Sequence, residues 1–122
     1  MPKCILIVDD HEYLRKLVRN FLETQSGYDV CGEAVDGYDA IEKAQELKPD
    51  LIILDMSMPR MNGIEAAPRL KKLLPQTPIV LFTSHGPFRG FDARVAGIDV
   101  VVAKDGGMSS LLNSLQGLLQ EA

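Results

Sequence analysis

LIILDMSMPRMNG, residues 51–63, runs from four bulky aliphatics straight into a carboxylate, Asp55, and then into a stretch rich in Met, Pro, Asn and Gly. Four consecutive branched apolar residues read as a short strand buried on both faces, the kind that parallel sheets use. A charge at the end of such a run marks where the chain leaves the core. Working outward, the same kind of run recurs at Cys4–Val8 and at Ile79–Phe82, entered through Pro78, and Val100–Ala103 reads as the last strand. Tyr28–Ala34 reads as a fifth strand, with Val30, Gly32 and Ala34 assigned to one side and Tyr28, Cys31 and Glu33 breaking strict alternation.

Between the strands the apolar period lengthens to that of a helix. Leu14, Leu17, Val18, Phe21 and Leu22 form one stripe, closed by Gly27, and Ile41, Ala44 and Leu47 form a second, after the turn Asp36-Gly37 and before Pro49. Ile64, Ala67, Leu70 and Leu74 predict a third, with Pro68 inside it. An interior proline costs ~3 kcal/mol, so this helix either starts late, with Pro68 in its first turn, or is kinked. Pro87 opens a fourth holding Phe91, Val95 and Ala96. A fifth runs from about Met108 to Gln120 on Leu111, Leu112, Leu115, Leu118 and Leu119. Its remaining positions, among them Ser109, Asn113 and Gln116, carry no charge, which makes that face cheap to desolvate.

Strand and helix therefore alternate five times, which predicts an α/β fold: a doubly wound five-stranded parallel sheet with right-handed crossovers and helices on both faces. Five strands in about 120 residues fit the flavodoxin-like order 2-1-3-4-5, in which ligands bind at the carboxyl edge beside the switch point between strands 1 and 3.

Composition sets outer bounds. The 122 residues are enough for one domain, expected over 1–122, and 46% hydrophobic with 25% charged is ordinary for a globular chain. A net charge of −4 argues against direct contact of this domain with nucleic acid. Lys3, Arg15, Lys16, Arg19, Arg60, Arg69, Lys71 and Lys72 are accordingly expected on solvated faces. No apolar run is long enough to span a bilayer and the N-terminus lacks a secretory pattern, so the expected location is the cytoplasm, with no membrane partner. Cys4 and Cys31 form neither a metal-ligand spacing nor a disulfide framework and are expected to be buried and reduced.

At the carboxyl ends of the predicted strands stand Asp9 and Asp10 (strand 1), Asp55 (strand 3), Thr83 (strand 4) and Lys104 (strand 5). Each alone has a plain reading: an Asp after a strand is often a turn former or helix cap. Together they share one edge of one topology. Asp9 or Asp10 would lie close to Asp55, and carboxylates that near raise one another's pKa unless a cation neutralises them. A cluster of carboxylates without His or Cys suits a hard ion, with Mg2+ the best fit. One carboxylate is then free to act as a nucleophile in phosphoryl transfer, with Lys104 and Thr83 donating to the phosphoryl oxygens.

IVDDH at 7–11, DMSMPRMNG at 55–63, FTS at 82–84 and VAKD at 102–105 together resemble the receiver domain of two-component response regulators, over essentially the whole chain. The resemblance implies that Asp55 is the phosphoacceptor. It also implies that Asp9 and Asp10 serve the Mg2+ site, one directly and one largely through water, that the Ser57 backbone carbonyl is a further ligand, and that Thr83 and Lys104 bind the phosphoryl group. The implied donor is a phosphohistidine on a sensor histidine kinase or histidine phosphotransfer protein. Such a receiver catalyses its own phosphorylation and dephosphorylation without being a turnover enzyme. Phosphorylation would shift the face made by helix 4, strand 5 and helix 5, which is also the implied surface for a homodimer. The downstream protein or fused output domain is unknown: the sequence ends at Ala122, as a stand-alone or a truncated receiver would.

Two positions depart from the family's habits. Val101 stands where an aromatic residue often reports phosphorylation, and Asp105 follows Lys104 where a proline in a cis peptide is common. The resemblance also implies that Ser57 and His85, two residues after Asp55 and Thr83, flank the path of hydrolytic water; His85 reads most simply as a polar loop residue. Val101 and the predicted fourth helix, interrupted by Gly86 and Gly90, motivate an alternative, a phosphorylation-independent interaction module on the same fold. A flavodoxin-like cofactor binder is a weaker reading, because no glycine-rich phosphate loop is present and the loops after strands 1 and 3 are acidic.

Overall fold

The structure, a computed structural model, describes residues 2–84 and 96–119. The helix predicted to open at Pro87, and the reading of His85, fall on 85–95, outside the described residues. Five strands, β1 (Lys3–Val8), β2 (Tyr28–Ala34), β3 (Leu51–Leu54), β4 (Ile79–Thr83) and β5 (Val100–Ala103), pair in parallel in the order β2-β1-β3-β4-β5. This is the predicted order. It leaves β1 and β3 side by side at its centre, with Val8 opposite Leu54.

β1, β3 and β4, predicted to be buried on both faces, are so because two helical layers cover them, whereas the outer strand β5 leaves Val101 and Ala103 exposed. α2 (Gly37–Leu47) and α3 (Gly63–Leu73) cover one face, where Leu6, Val8, Ile52, Leu54, Ile79 and Leu81 meet Ala40, Ala44, Ala66, Ala67 and Leu70. α1 (Glu12–Glu23) and α4 (Gly107–Leu119), fifth in the predicted order, cover the other, where Ile5, Ile7, Ile53, Val80 and Phe82 meet Val18, Leu22, Leu111 and Leu115. Each fully buried aliphatic contributes roughly 1.5–3 kcal/mol relative to exposure. That is why the central strands tolerate no polar residue until they reach the sheet edge.

Several local expectations need correction. Val30, Gly32 and Ala34 do not share a side. Ile5 pairs with Val30 but Leu6 pairs with Gly32, so Cys31 is an extra residue in β2, a bulge that reverses the faces beyond it. Val30 packs with the α1 layer, Ala34 with the α2 layer, and a Cβ on Gly32 would meet Leu47 and Leu6. The broken alternation was the sign of the bulge. Likewise α3 does not start late: it begins at Gly63 and runs through Pro68. The proline nitrogen leaves the Ile64 carbonyl without its helical donor. A complete capping box offsets part of this cost, with Asn62 accepting from the Glu65 N–H at 2.8 Å and the Glu65 carboxylate accepting from the Asn62 N–H at 3.2 Å. Asn62 and Gly63 thus start a helix as well as end a loop.

Cys4 and Cys31 are not free thiols. Cys31, placed by the bulge, is joined to Cys4 in a disulfide across β1 and β2, with the two Cα atoms 5.4 Å apart. Both residues are part-buried. The bridge closes a separation of 27 residues, so its reduction is expected to lower unfolding free energy by roughly 3–4 kcal/mol. Urea denaturation with and without reductant measures this; identical midpoints would contradict it. Among the described residues no helix is long and apolar enough to cross a membrane.

Candidate functional site

The strand ends carry the site. β1 stops at Val8, and Asp9 is held in line by its own N–H, which donates to the Ala34 carbonyl at 3.0 Å. β3 stops at Leu54, and the Asp55 N–H donates to the Val8 carbonyl at 2.9 Å, tying the two carboxylate-bearing ends together. Asp9 and Asp55 are each only 4% exposed, whereas Asp10 is exposed. Oxygens of Asp9, Asp10 and Asp55 and a ring nitrogen of His11 all lie within 4.8 Å of one another. A cleft opens beside them, lined by Asp10, His11, Ser57, Pro59 and Asn62.

Lys104 sits between the two buried acids. Its ammonium donates to Asp9 Oδ2 at 3.0 Å and to Asp55 Oδ1 at 3.2 Å, and its side chain is 15% exposed. The anticipated repulsion is therefore real but partly answered within the chain. Burial first, and the Asp9 charge second, push the Asp55 carboxyl above its ordinary pKa, against the opposing pull of Lys104. Thr83 ends β4, 2% exposed, and pairs in register with Ala103, the residue before Lys104. Among the described residues no peptide bond is cis, Lys104–Asp105 included. Val101 is 44% exposed on the outer strand β5.

The donor set fits a hard cation: the buried carboxylates of Asp9 and Asp55 lie within 4.8 Å of Asp10, which lines the cleft together with Ser57. His11 was missed in the expected cluster. Its Nδ1 lies 3.1 Å from Asp9 Oδ1 and 3.2 Å from Asp10 Oδ1, on the exposed rim. The signal was the DDH triplet itself, since a helix that starts at Glu12 leaves His11 at the strand-to-helix turn with the two acids.

Reading the cations as merely solvated also needs correction. Arg15 Nη1 donates to the Asp9 carbonyl at 2.6 Å while its Nε donates to Glu33 at 2.9 Å, and Arg19 Nε meets the other Glu33 oxygen at 2.7 Å. Burial works to raise the Glu33 pKa, but the hydrogen bonds from Arg19 and Arg15 outweigh it and hold it below its ordinary value. Arg60 meets the buried carboxylate of Asp36. Lys71 bonds to the Thr77 carbonyl and to Asp99.

A doubly wound sheet of order 2-1-3-4-5 with acids, a threonine and a lysine on its carboxyl edge defines a small α/β signalling module. The chain belongs to the response regulator receiver domain family, whose model matches residues 5–116. Receivers of this family are phosphorylation-activated switches of two-component systems; they interact with histidine kinases and generally bind Mg2+ at an acidic pocket. The chain is 42% identical over 120 residues to the response regulator protein VraR of Staphylococcus saprophyticus, covering 95% of this chain and 56% of that protein. VraR of Staphylococcus aureus is 43% identical over 104 residues, covering 82% and 48%. The chain thus spans about half the length of these relatives. Among solved structures, a LuxR-family two-component response regulator from Aurantimonas sp. SI85-9A1 superposes with a TM-score of 0.91 at 29% identity, covering 98% of this chain and 86% of that one. Vibrio cholerae CheY4 does so with 0.87 at 31% identity, covering 98% and 100%. The interaction-module alternative is not favoured by this family membership.

Proposed function

We propose that residues 1–122 form one receiver domain in which Asp55 accepts a phosphoryl group from a phosphohistidine donor on a sensor histidine kinase or phosphotransfer protein. The observation that carries this reading is the convergence of Asp9, Asp55 and Lys104, from three strand ends, within hydrogen-bonding distance of one ammonium. In the transfer, an Asp55 carboxylate oxygen attacks phosphorus and the phosphorus–nitrogen bond to the donor imidazole breaks, its electron pair leaving on nitrogen. Lys104 then exchanges its contact with ionised Asp55 for one with a phosphoryl oxygen, and the Thr83 hydroxyl donates to another. Asp9, Asp10, Asp55 and the Ser57 carbonyl would hold Mg2+. Bound there, Mg2+ supplies charge neutralisation for the carboxylates and the incoming phosphoryl oxygens.

The proposed setting is the cytoplasm, a reducing compartment in which the Cys4–Cys31 bridge is subject to reduction by the thiol pool. The consequence of phosphorylation is a population shift of the surface that includes β5 and α4, which would engage a downstream protein, a fused output domain or a second copy of the chain. The test is incubation with a small-molecule phosphodonor and Mg2+, followed by intact mass. One hydroxylamine-labile phosphoryl group per chain is expected, lost when Mg2+ is chelated. No adduct with several donors and with candidate kinases would refute the reading.

A further inference from the structure

The loop that follows Asp55 is held by a device the chemistry above does not use. Arg60 has φ +65°, a backbone conformation that glycine adopts far more easily, and the Met61 N–H turns back to the Pro59 carbonyl at 2.7 Å. The arginine side chain offers what a glycine could not. It reaches Asp36, a fully buried carboxylate on the neighbouring β2–α2 turn, and forms an ion pair with it. Asp36 at the same time caps α2, accepting from the Asp39 N–H at 2.8 Å.

Two further contacts close the clasp. The Gly37 N–H donates to the Met61 carbonyl at 3.1 Å, and Met61, 3% exposed, lies where a Cβ on Gly37 would come within 2.5–2.7 Å of its side chain. At its far end the loop is pinned by the Gly63 N–H, which donates to the Met56 carbonyl at 2.9 Å. Residues 57–62 are thus anchored from behind, while Ser57 lines the cleft beside Asp10 and His11.

We propose that the Asp36–Arg60 ion pair is a positioning latch that presents the Ser57 carbonyl to Mg2+, setting the metal affinity of the site and not the rate at saturating metal. The inference rests on the Mg2+ reading above. Groups behind a metal's ligands commonly change affinity by an order of magnitude or more when removed. Asp36→Asn is the informative variant, because asparagine still caps a helix but gives up the charge that meets Arg60.

Mg2+ affinity of the whole chain, followed by calorimetry and by backbone amide shifts, provides the test. Asp36→Asn and Arg60→Met should each weaken Mg2+ binding roughly tenfold, and the double variant should be no weaker than either single one. Phosphorylation from a small donor at saturating Mg2+ should stay close to wild type in all three. Arg60→Gly separates the turn's backbone conformation from the ion pair: it relieves the unfavourable φ while leaving the buried Asp36 without its partner, and Mg2+ binding weakens as in Arg60→Met. Unchanged affinity in both single variants, additive losses, or wild-type affinity in Arg60→Gly would overturn the latch while leaving the receiver reading intact. A wild type that neither binds Mg2+ nor takes up phosphoryl overturns both.

Discussion

Asp55→Asn is expected to take up no phosphoryl group under conditions that label the wild type completely, and to be the more stable of the two proteins at neutral pH. The first effect follows from removing the nucleophile while keeping its volume. The second follows from where the charge sits. Burial, then the Asp9 charge, raise the Asp55 pKa in the folded protein above its ordinary 3.8. A carboxyl shifted that way contributes stability below its unfolded pKa, and that contribution is lost as pH rises through the folded value. Above it, the ionised group costs stability that asparagine does not.

The advantage of Asp55→Asn should therefore be full at neutral pH, shrink as pH falls through the raised value, and vanish below the unfolded one. Thermal midpoints of both proteins across that range, without divalent metal, provide the measurement. An equal gap at every pH, or a wild type that is more stable at neutral pH, would contradict the assignment of strain to this carboxylate. Added Mg2+ should narrow the gap from the wild-type side, since only the wild type keeps the full carboxylate set.

Lys104→Met is the complementary experiment. The ammonium stands 3.0 and 3.2 Å from two carboxylates whose side chains are 5% exposed. Removing one partner of so buried a cluster leaves its charges uncompensated, a loss on the order of 3 kcal/mol. Magnesium should restore most of it, because a divalent ion among the acids replaces the missing charge. The variant should thus gain more stability from Mg2+ than the wild type gains. Phosphorylation should remain slow even then, by roughly two to three orders of magnitude, because the donor to the phosphoryl oxygens is gone. A variant as stable as wild type that responds no more strongly to Mg2+ would show that Lys104 is not the internal counter-ion.

Much of this was legible in one dimension. LIIL at 51–54 reads as a doubly buried strand because burial on both faces demands an unbroken apolar run, and Asp55 follows because the run ends where the sheet meets water. The carboxyl-edge residues could be read off once the alternation of strand and helix had implied the order of the sheet. Other features were present but misread. The irregular pattern of Tyr28–Ala34 signalled a bulge at Cys31, and an apolar tally alone could not tell that from a weak strand. Pro68 sits inside α3 because tertiary packing of Ala66, Ala67 and Leu70 and a strong cap outweigh one lost hydrogen bond.

The element order, the buried strands and the set of residues at the strand ends were determined by the sequence itself, because apolar period and Gly/Pro punctuation are local and act within a few residues. Tertiary structure alone decided which charge meets which. Lys104 finds Asp9 and Asp55, Arg60 finds Asp36, Arg15 joins Glu33 to the Asp9 backbone, and Cys4 is bonded to Cys31. Apart from that of Arg15 with the Asp9 backbone, these pairings span many residues, and they depend on the register of neighbouring strands and on how their turns face one another, which no local periodicity encodes.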